Sequence, residues 1–326
     1  MLIDIFNEIP WQKFQQLDAI KNLPLNEQEE KYQYYISELN LARDYYYQYQ
    51  VKGPRDGSES IVACTEGMDV IFLMDFTGSM TDIIADLKSE IASIISTIQT
   101  ESNNDYRLGM ILFDEQELTT IPNYTTTSRY TNLPAGRRLQ VKGDGDGVND
   151  PIYMYITGLV EMASNNESAF TAALNDLATP NFPIQGGTGA PEPGDVAFEY
   201  LLGGNSILST PDQPDPLPNP LPGPMVGAFR SGVTKIVILI SDALPGGGNE
   251  TYDTNTITSL TTSKDTCVSE AIQVFYFDVS DPSVSRPANQ GYRILSDNTQ
   301  GLFAQSSDAD ATEIITGIQD ICTDNA

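Results

Sequence analysis

The stretch Asp69-Val-Ile-Phe-Leu-Met-Asp75, together with the loop and helix after it, constrains the fold more than any other part of the chain. An unbroken apolar run of this length reads as a strand buried on both faces, and it stops at a carboxylate. Past Asp75 the order is Phe-Thr-Gly-Ser-Met80. Ile83, Ile84, Leu87, Ile91, Ile94, Ile95 and Ile98 then recur at helical spacing. The loop between strand and helix presents Asp75, Thr77 and Ser79 at alternate positions. Three hard oxygen ligands on one tight turn suit a small divalent cation such as Mg²⁺.

The same pattern returns later in the chain. Lys235-Ile-Val-Ile-Leu-Ile-Ser-Asp-Ala-Leu244 is a second continuous β-branched run, with Asp242 at its C-terminal end, where open α/β sheets bind ligands. Tyr106–Phe113, Gln273–Asp278 and Leu302–Ala304 read as further strands. Ala309–Ile321 reads as a closing helix with Ala311, Ile314, Ile315 and Ile318 on one face. Strands alternating with helices of this length imply an α/β fold, a doubly wound, mostly parallel sheet, here with an N-terminal α-helical extension.

Asp-Phe-Thr-Gly-Ser-Met after a buried strand resembles the von Willebrand factor A (VWA) domain and its metal-ion-dependent adhesion site, written in that family as Asp-x-Ser-x-Ser. Phe72–Met80 is most similar to the integrin β-subunit I-like and hemicentin-like branches. The resemblance spans residues 64 to 323. It implies that Asp242 is a second metal-site carboxylate and that one antiparallel edge strand exists, expected around Leu118–Pro122. The third ligand has two candidates within Gly186-Gly-Thr-Gly-Ala-Pro-Glu-Pro-Gly-Asp-Val-Ala197. Many VWA domains place a Thr ligand in a Gly-Gly-Thr before an Ala-containing helix, which nominates Thr188. The integrin β-like branches place a Glu after Pro, which nominates Glu192. Ala197 lies five residues after Glu192 and nine after Thr188, a register that favours Glu192. Implied ligands are therefore Asp75, Thr77, Ser79, Asp242 and either Glu192 or Thr188, around Mg²⁺ or alternatively Mn²⁺ or Ca²⁺. The ordinary alternatives are that Thr77 and Ser79 cap the helix at Ile83, and that Asp242 caps the helix after it.

Three cysteines cannot all pair within one chain. Some VWA domains join the two ends of the fold by a disulfide, which would pair Cys64 with Cys322. The N-terminus Met1-Leu-Ile-Asp-Ile-Phe-Asn-Glu lacks the basic start and long apolar core of a signal peptide, and on that ground three reduced, buried thiols are expected. The sequons at Asn123, Asn166 and Asn249 carry little meaning without a secretory route.

Charge and composition remove several functions. With 17 basic and 45 acidic residues the net charge is -28, a field that repels phosphate backbones and anionic membranes, so no nucleic-acid partner is expected. No apolar run reaches bilayer-spanning length. The chain has no histidine, which removes Ser-His-Asp and Cys-His catalysis and His-ligated zinc together. No phosphate-binding loop ending in Gly-Lys-Ser/Thr is present. A metal-assisted hydrolase remains the least favoured class, and the chain is expected not to be an enzyme.

Residues 1–50 read as a helical docking extension, with Trp11, Phe14, Leu17 and Ile20 on one face. Tyr34, Tyr35, Leu39, Ala42, Tyr45 and Tyr46 form a stripe on a second helix. Residues 51–63 read as a linker and 64–323 as the VWA domain, with insertions at about 119–165 and 205–232. In the first insertion Asp144, Asp146 and Asp150 suggest either an Asp/Gly turn or a calcium loop, the turn being favoured. In the second, Pro211–Pro224 should be an extended, polyproline-like surface segment. The expected function is a metal-dependent protein-interaction module in a larger assembly. Its partners would be other chains, reached through the N-terminal helices and the metal face. The docking arm and the acidic, histidine-free composition favour a virion, in tail or neck assembly or host attachment. The alternatives are a structural scaffold with a vestigial metal site and a cytoplasmic partner of a chaperone-like ATPase.

Overall fold

The computed structural model describes residues 61–117, 138–143, 152–179, 182, 184, 191–203, 224–246, 252–281, 283–306 and 311–325, together with 15, 17, 21, 23–25, 28 and 31–32. The chain divides into two compact units, Met1–Ser58 and Glu59–Ala326. In the first, the Gln28 side chain is bonded to Gln15 and to the Leu23 carbonyl. Leu17, expected on a docking face, is 42% exposed. The remaining residues assigned to the two apolar stripes lie outside the described residues.

In the second unit the described residues form one seven-stranded sheet. Its strands are β1 (Met68–Asp75), β2 (Tyr106–Glu117), β3 (Arg138–Gly143), β4 (Ile152–Ser164), β5 (Thr234–Ser241), β6 (Ile272–Asp278) and β7 (Leu302–Gln305). Their order across the sheet is β3-β4-β2-β1-β5-β6-β7. β2, β1, β5, β6 and β7 run parallel, and β4 is antiparallel to both neighbours. Helices α1 (Thr81–Glu101), α2 (Glu167–Asp176), α3 (Gly194–Leu201), α4 (Thr254–Ser269), α5 (Arg293–Ser296) and α6 (Ala311–Asp324) flank it.

Pleating sends alternate residues of β1 into two cores. Val70, Phe72 and Met74 join the apolar faces of α1, α2 and α6. Ile71 and Leu73 join those of α3, α4 and α5. The seven apolar residues read at helical spacing are the seven buried residues of α1. This is the doubly wound arrangement expected from the sequence, with each parallel strand delivering its C-terminal end to one edge.

The antiparallel strand is where expectation and structure part. It is Ile152–Ser164, second from the edge with β3 outside it, whereas Leu118–Pro122 lies outside the described residues. β2 continues to Glu117, the last described residue before that segment. β3 and β4 form an antiparallel pair with Gly143 opposite Ile152. The Asp144, Asp146 and Asp150 segment joins them and is outside the described residues. Asn166 seals the next junction: its amide accepts from the Leu108 N–H at 3.0 Å and donates to the Leu108 carbonyl at 2.8 Å, beside the register shift in the β2–β4 pair.

The cysteines correct a second expectation. Cys64 and Cys322 are disulfide-bonded with their Cα atoms 5.4 Å apart, and Cys267 alone is a buried free thiol. The ends of the unit meet because β1 starts at the centre of the sheet and α6 packs back along α1.

Candidate metal site at the C-terminal edge of the sheet

β1 ends at Asp75, a carboxylate with no exposed surface. Beyond it the backbone keeps one more bond to β2, Phe76 N–H to the Phe113 carbonyl, and then tightens into a 3₁₀ turn, Gly78–Met80, that leads into α1. Asp75 Oδ1 accepts from the Thr77 N–H at 2.9 Å and from the Thr77 hydroxyl at 2.7 Å. The Thr77 hydroxyl lies 3.2 Å from that of Ser79, which is exposed. Neither hydroxyl caps a helix: Thr77 makes no side-chain cap bond, and α1 starts after Met80 without one. The three side chains thus form one chain of oxygens running from the core to the surface.

Asp242 follows β5 by one residue, and its charge reaches Asp75. Burial first and Asp242 second push the Asp75 carboxyl up to about 7, with bonds from Thr77 and Ser241 acting the other way. Asp242 does not cap the following helix, because Asp253 does so by accepting from the Asn255 and Thr256 N–H groups. Glu192 is tied to the same loop through its backbone. Its N–H donates to the Leu244 carbonyl at 2.8 Å, and its carbonyl accepts from the Gly246 N–H at 2.8 Å. A Cβ on Gly246 would stand 2.5 Å from the Pro191 ring, so glycine there allows the two loops to close up. Glu192 is buried, as is Asp195 in the first turn of α3. Thr188 lies outside the described residues.

Several residues of the site carry no signal in the sequence. Ser241, 166 positions from Asp75, donates to Asp75 Oδ2 at 2.9 Å and accepts from the Ala243 N–H at 3.2 Å. Arg286 bonds Asp278 at 2.7 Å and donates to the Asp242 carbonyl at 2.8 Å, fixing the loop that carries the second carboxylate. Tyr292 packs against Gly194, at the end of the Glu192 turn. Ser241 ends an apolar run and the other two sit in a loop-rich segment, so only the folded register shows where they meet.

As a donor set this is hard and oxygen-only, and it suits a cation that keeps some of its waters. Among the described residues no three His, Cys, Asp or Glu side chains converge into a cage of their own. A cation here would therefore rest on Asp75, Asp242 and Glu192 only in combination with the Thr77 and Ser79 hydroxyls and solvent. Two observations fit it: a buried carboxylate raised by a neighbouring carboxylate, and the Tyr292 hydroxyl, buried beside them without a hydrogen-bond partner.

No family profile matches the sequence, and no curated protein matches it. Solved structures do show similarity in shape. The pilus adhesin SpaC from Lactobacillus rhamnosus GG, in an open conformation, aligns with 83% of this chain at 13% identity and a TM-score of 0.43. The match spans 31% of the adhesin's own length. Manganese-loaded TRAP from Plasmodium vivax aligns with 79% of this chain and 74% of its own, at 13% identity and a TM-score of 0.40. The PilB minor pilin from Streptococcus sanguinis aligns with 84% of this chain and 64% of its own, at 11% identity and a TM-score of 0.42.

Proposed function

We propose that this chain is a VWA-like, non-enzymatic protein-interaction module that holds a divalent cation at the C-terminal edge of its sheet. The observation that carries the reading is the oxygen chain from Asp75 through Thr77 to Ser79. Its hydroxyls stand at a helix entry yet make no cap bond, and the charge of Asp242 reaches the Asp75 carboxylate from which they lead. Asp75, Thr77, Ser79 and Asp242 would hold Mg²⁺, Mn²⁺ or Ca²⁺, with Glu192 completing the protein shell and Thr188 as the alternative.

A hard cation in such a site supplies a position for a carboxylate from another protein. The chain's own residues do the positioning. Ser241 and the Thr77 N–H orient the Asp75 carboxylate, and Arg286 fixes the Asp242 backbone. The bridge between Glu192 and Pro245 keeps the two loops in register. No histidine is available for proton transfer at neutral pH. The setting we propose is a larger assembly, a virion component in tail or neck assembly or in attachment, consistent with the acidic, histidine-free composition. Among the described residues no helix is long and apolar enough to cross a membrane.

A scaffold whose metal site is vestigial is the second reading, favoured by the absence of three convergent carboxylates among the described residues. A thermal melt separates the two. After chelation, added Mg²⁺ or Mn²⁺ should raise the melting temperature of the wild type and leave Asp75→Ala unmoved, because a ligand that binds only the native state stabilises by mass action. Equal curves with and without metal in the wild type, up to millimolar cation, would favour the scaffold.

A further inference from the structure

Tyr292 immediately precedes the short α5 turn and is 1% exposed. Its ring meets Tyr276 edge-on, with centroids 5.3 Å apart. Its hydroxyl has no hydrogen-bond partner, although a phenol taken out of water ordinarily finds one. Gly194 fixes where that hydroxyl sits. A Cβ built on this first residue of α3 would lie 2.0 Å from the Tyr292 oxygen and 3.0 Å from the Phe113 ring. The phenol oxygen therefore occupies the space a side chain would take at the start of α3. The Gly194 N–H donates to the Glu192 carbonyl at 2.9 Å, so the same residue carries the Glu192 turn.

Packing alone does not account for a tyrosine here. Phenylalanine would fill the ring space without burying a polar atom. The hydroxyl is also close to charge: burial, then Asp195, Asp75, Tyr276 and Glu192, raise its pKa well above the ordinary phenol value. A phenol O–H is a hydrogen-bond donor, and its acidic neighbours lie at the end of β1 and around the start of α3.

We propose that Tyr292 is a positioning residue of the cation site: with the cation bound, its hydroxyl donates to the acidic turn Glu192–Asp195, directly or through one water, so that Glu192 is held toward Asp75 and Asp242. The inference rests on the metal-binding reading above and adds a residue to it from a different element. Outer-shell donors of this kind typically change metal affinity by about 10- to 100-fold when removed.

Terbium luminescence tests it, because Tb³⁺ takes oxygen sites and emits when excited through a tyrosine at close range. In the wild type, tyrosine-excited emission should appear on adding Tb³⁺ and be displaced by Mg²⁺ or Mn²⁺. Tyr292→Phe should lose most of that emission and bind Tb³⁺, read by direct excitation, about 10-fold more weakly. Its metal-free melting temperature should stay level or rise, since the variant removes an unpartnered polar atom. Wild-type emission and affinity in Tyr292→Phe would overturn the inference, as would weaker binding accompanied by a lower metal-free melt, the mark of a merely structural role. A wild type with no displaceable Tb³⁺ emission would overturn the metal-binding reading itself, and this inference with it.

Discussion

Asp69 and Asp75 stand near the two ends of β1, both fully buried, and the chain treats them differently. Asp69 is neutralised from within. Arg107 pairs with it, and Arg230 donates to it through both its side chain and its backbone N–H, the latter at 2.7 Å. Asp75 receives no arginine, only two hydroxyls and one N–H. Breaking a buried ion pair leaves an uncompensated charge, at a cost of about 3–5 kcal/mol. Because two arginines share Asp69, Arg107→Ala alone should cost less, about 2 kcal/mol, while Arg107→Ala with Arg230→Ala should approach the full figure. Adding Asp69→Asn to the double variant should restore part of the loss. Urea denaturation of these proteins together with Arg230→Ala checks the series, and simple additivity with no rescue by asparagine would refute it. The Asp75 triad is legible in the sequence because its spacing is local, three residues within one loop. The Asp69 cluster is not, because it joins positions 161 residues apart that only the sheet register brings together.

At the scale of elements, β1, α1, β5 and β6 are readable because burial on both faces or along one stripe leaves a strong periodic record. β4 escapes for the opposite reason. Its buried stretch includes Thr157 and Gly158, which break the apolar run, and Gly158 lies where Met225 and Val226 pack too closely for a side chain. Treating compartment as decisive misjudges the cysteine pair, since the family resemblance already implies that the two ends lie close together. The bridge closes a sequence separation of 258 residues, and restricting so long a loop in the unfolded chain stabilises the native state by about 2–5 kcal/mol. Cys64→Ala with Cys322→Ala should therefore lower the unfolding free energy by that amount while preserving the far-ultraviolet circular dichroism. Reduced and oxidised wild type should differ in the same direction. Identical denaturation midpoints would show that the native ends are held by packing alone.

For the whole molecule, 45 acidic against 17 basic residues leave a net charge of -28. In the sheet unit, Lys88, Arg107, Arg230, Lys235, Lys264, Arg286 and Arg293 are all engaged with carboxylates or backbone carbonyls. The excess of acidic residues makes for mutual repulsion, which salt should screen. With a chelator present to remove any bound metal, the melting temperature should rise by a few degrees from low salt to about half-molar sodium chloride, where the screening length is only a few ångströms. A fall would mean that the internal ion pairs outweigh the surface repulsion. The disulfide has a further consequence, a mechanical one. It sits at the start of β1, and the oxygen cluster sits at the end of the same strand, about 25 Å away at the usual rise per residue. Tension between chain segments outside Cys64 and Cys322 would pass through two sulfur atoms and leave the sheet unloaded. A pull between that anchorage and anything gripped at the Asp75 edge would run lengthwise along the central strand. β2 and β5 would resist it in shear, all their hydrogen bonds sharing the load at once.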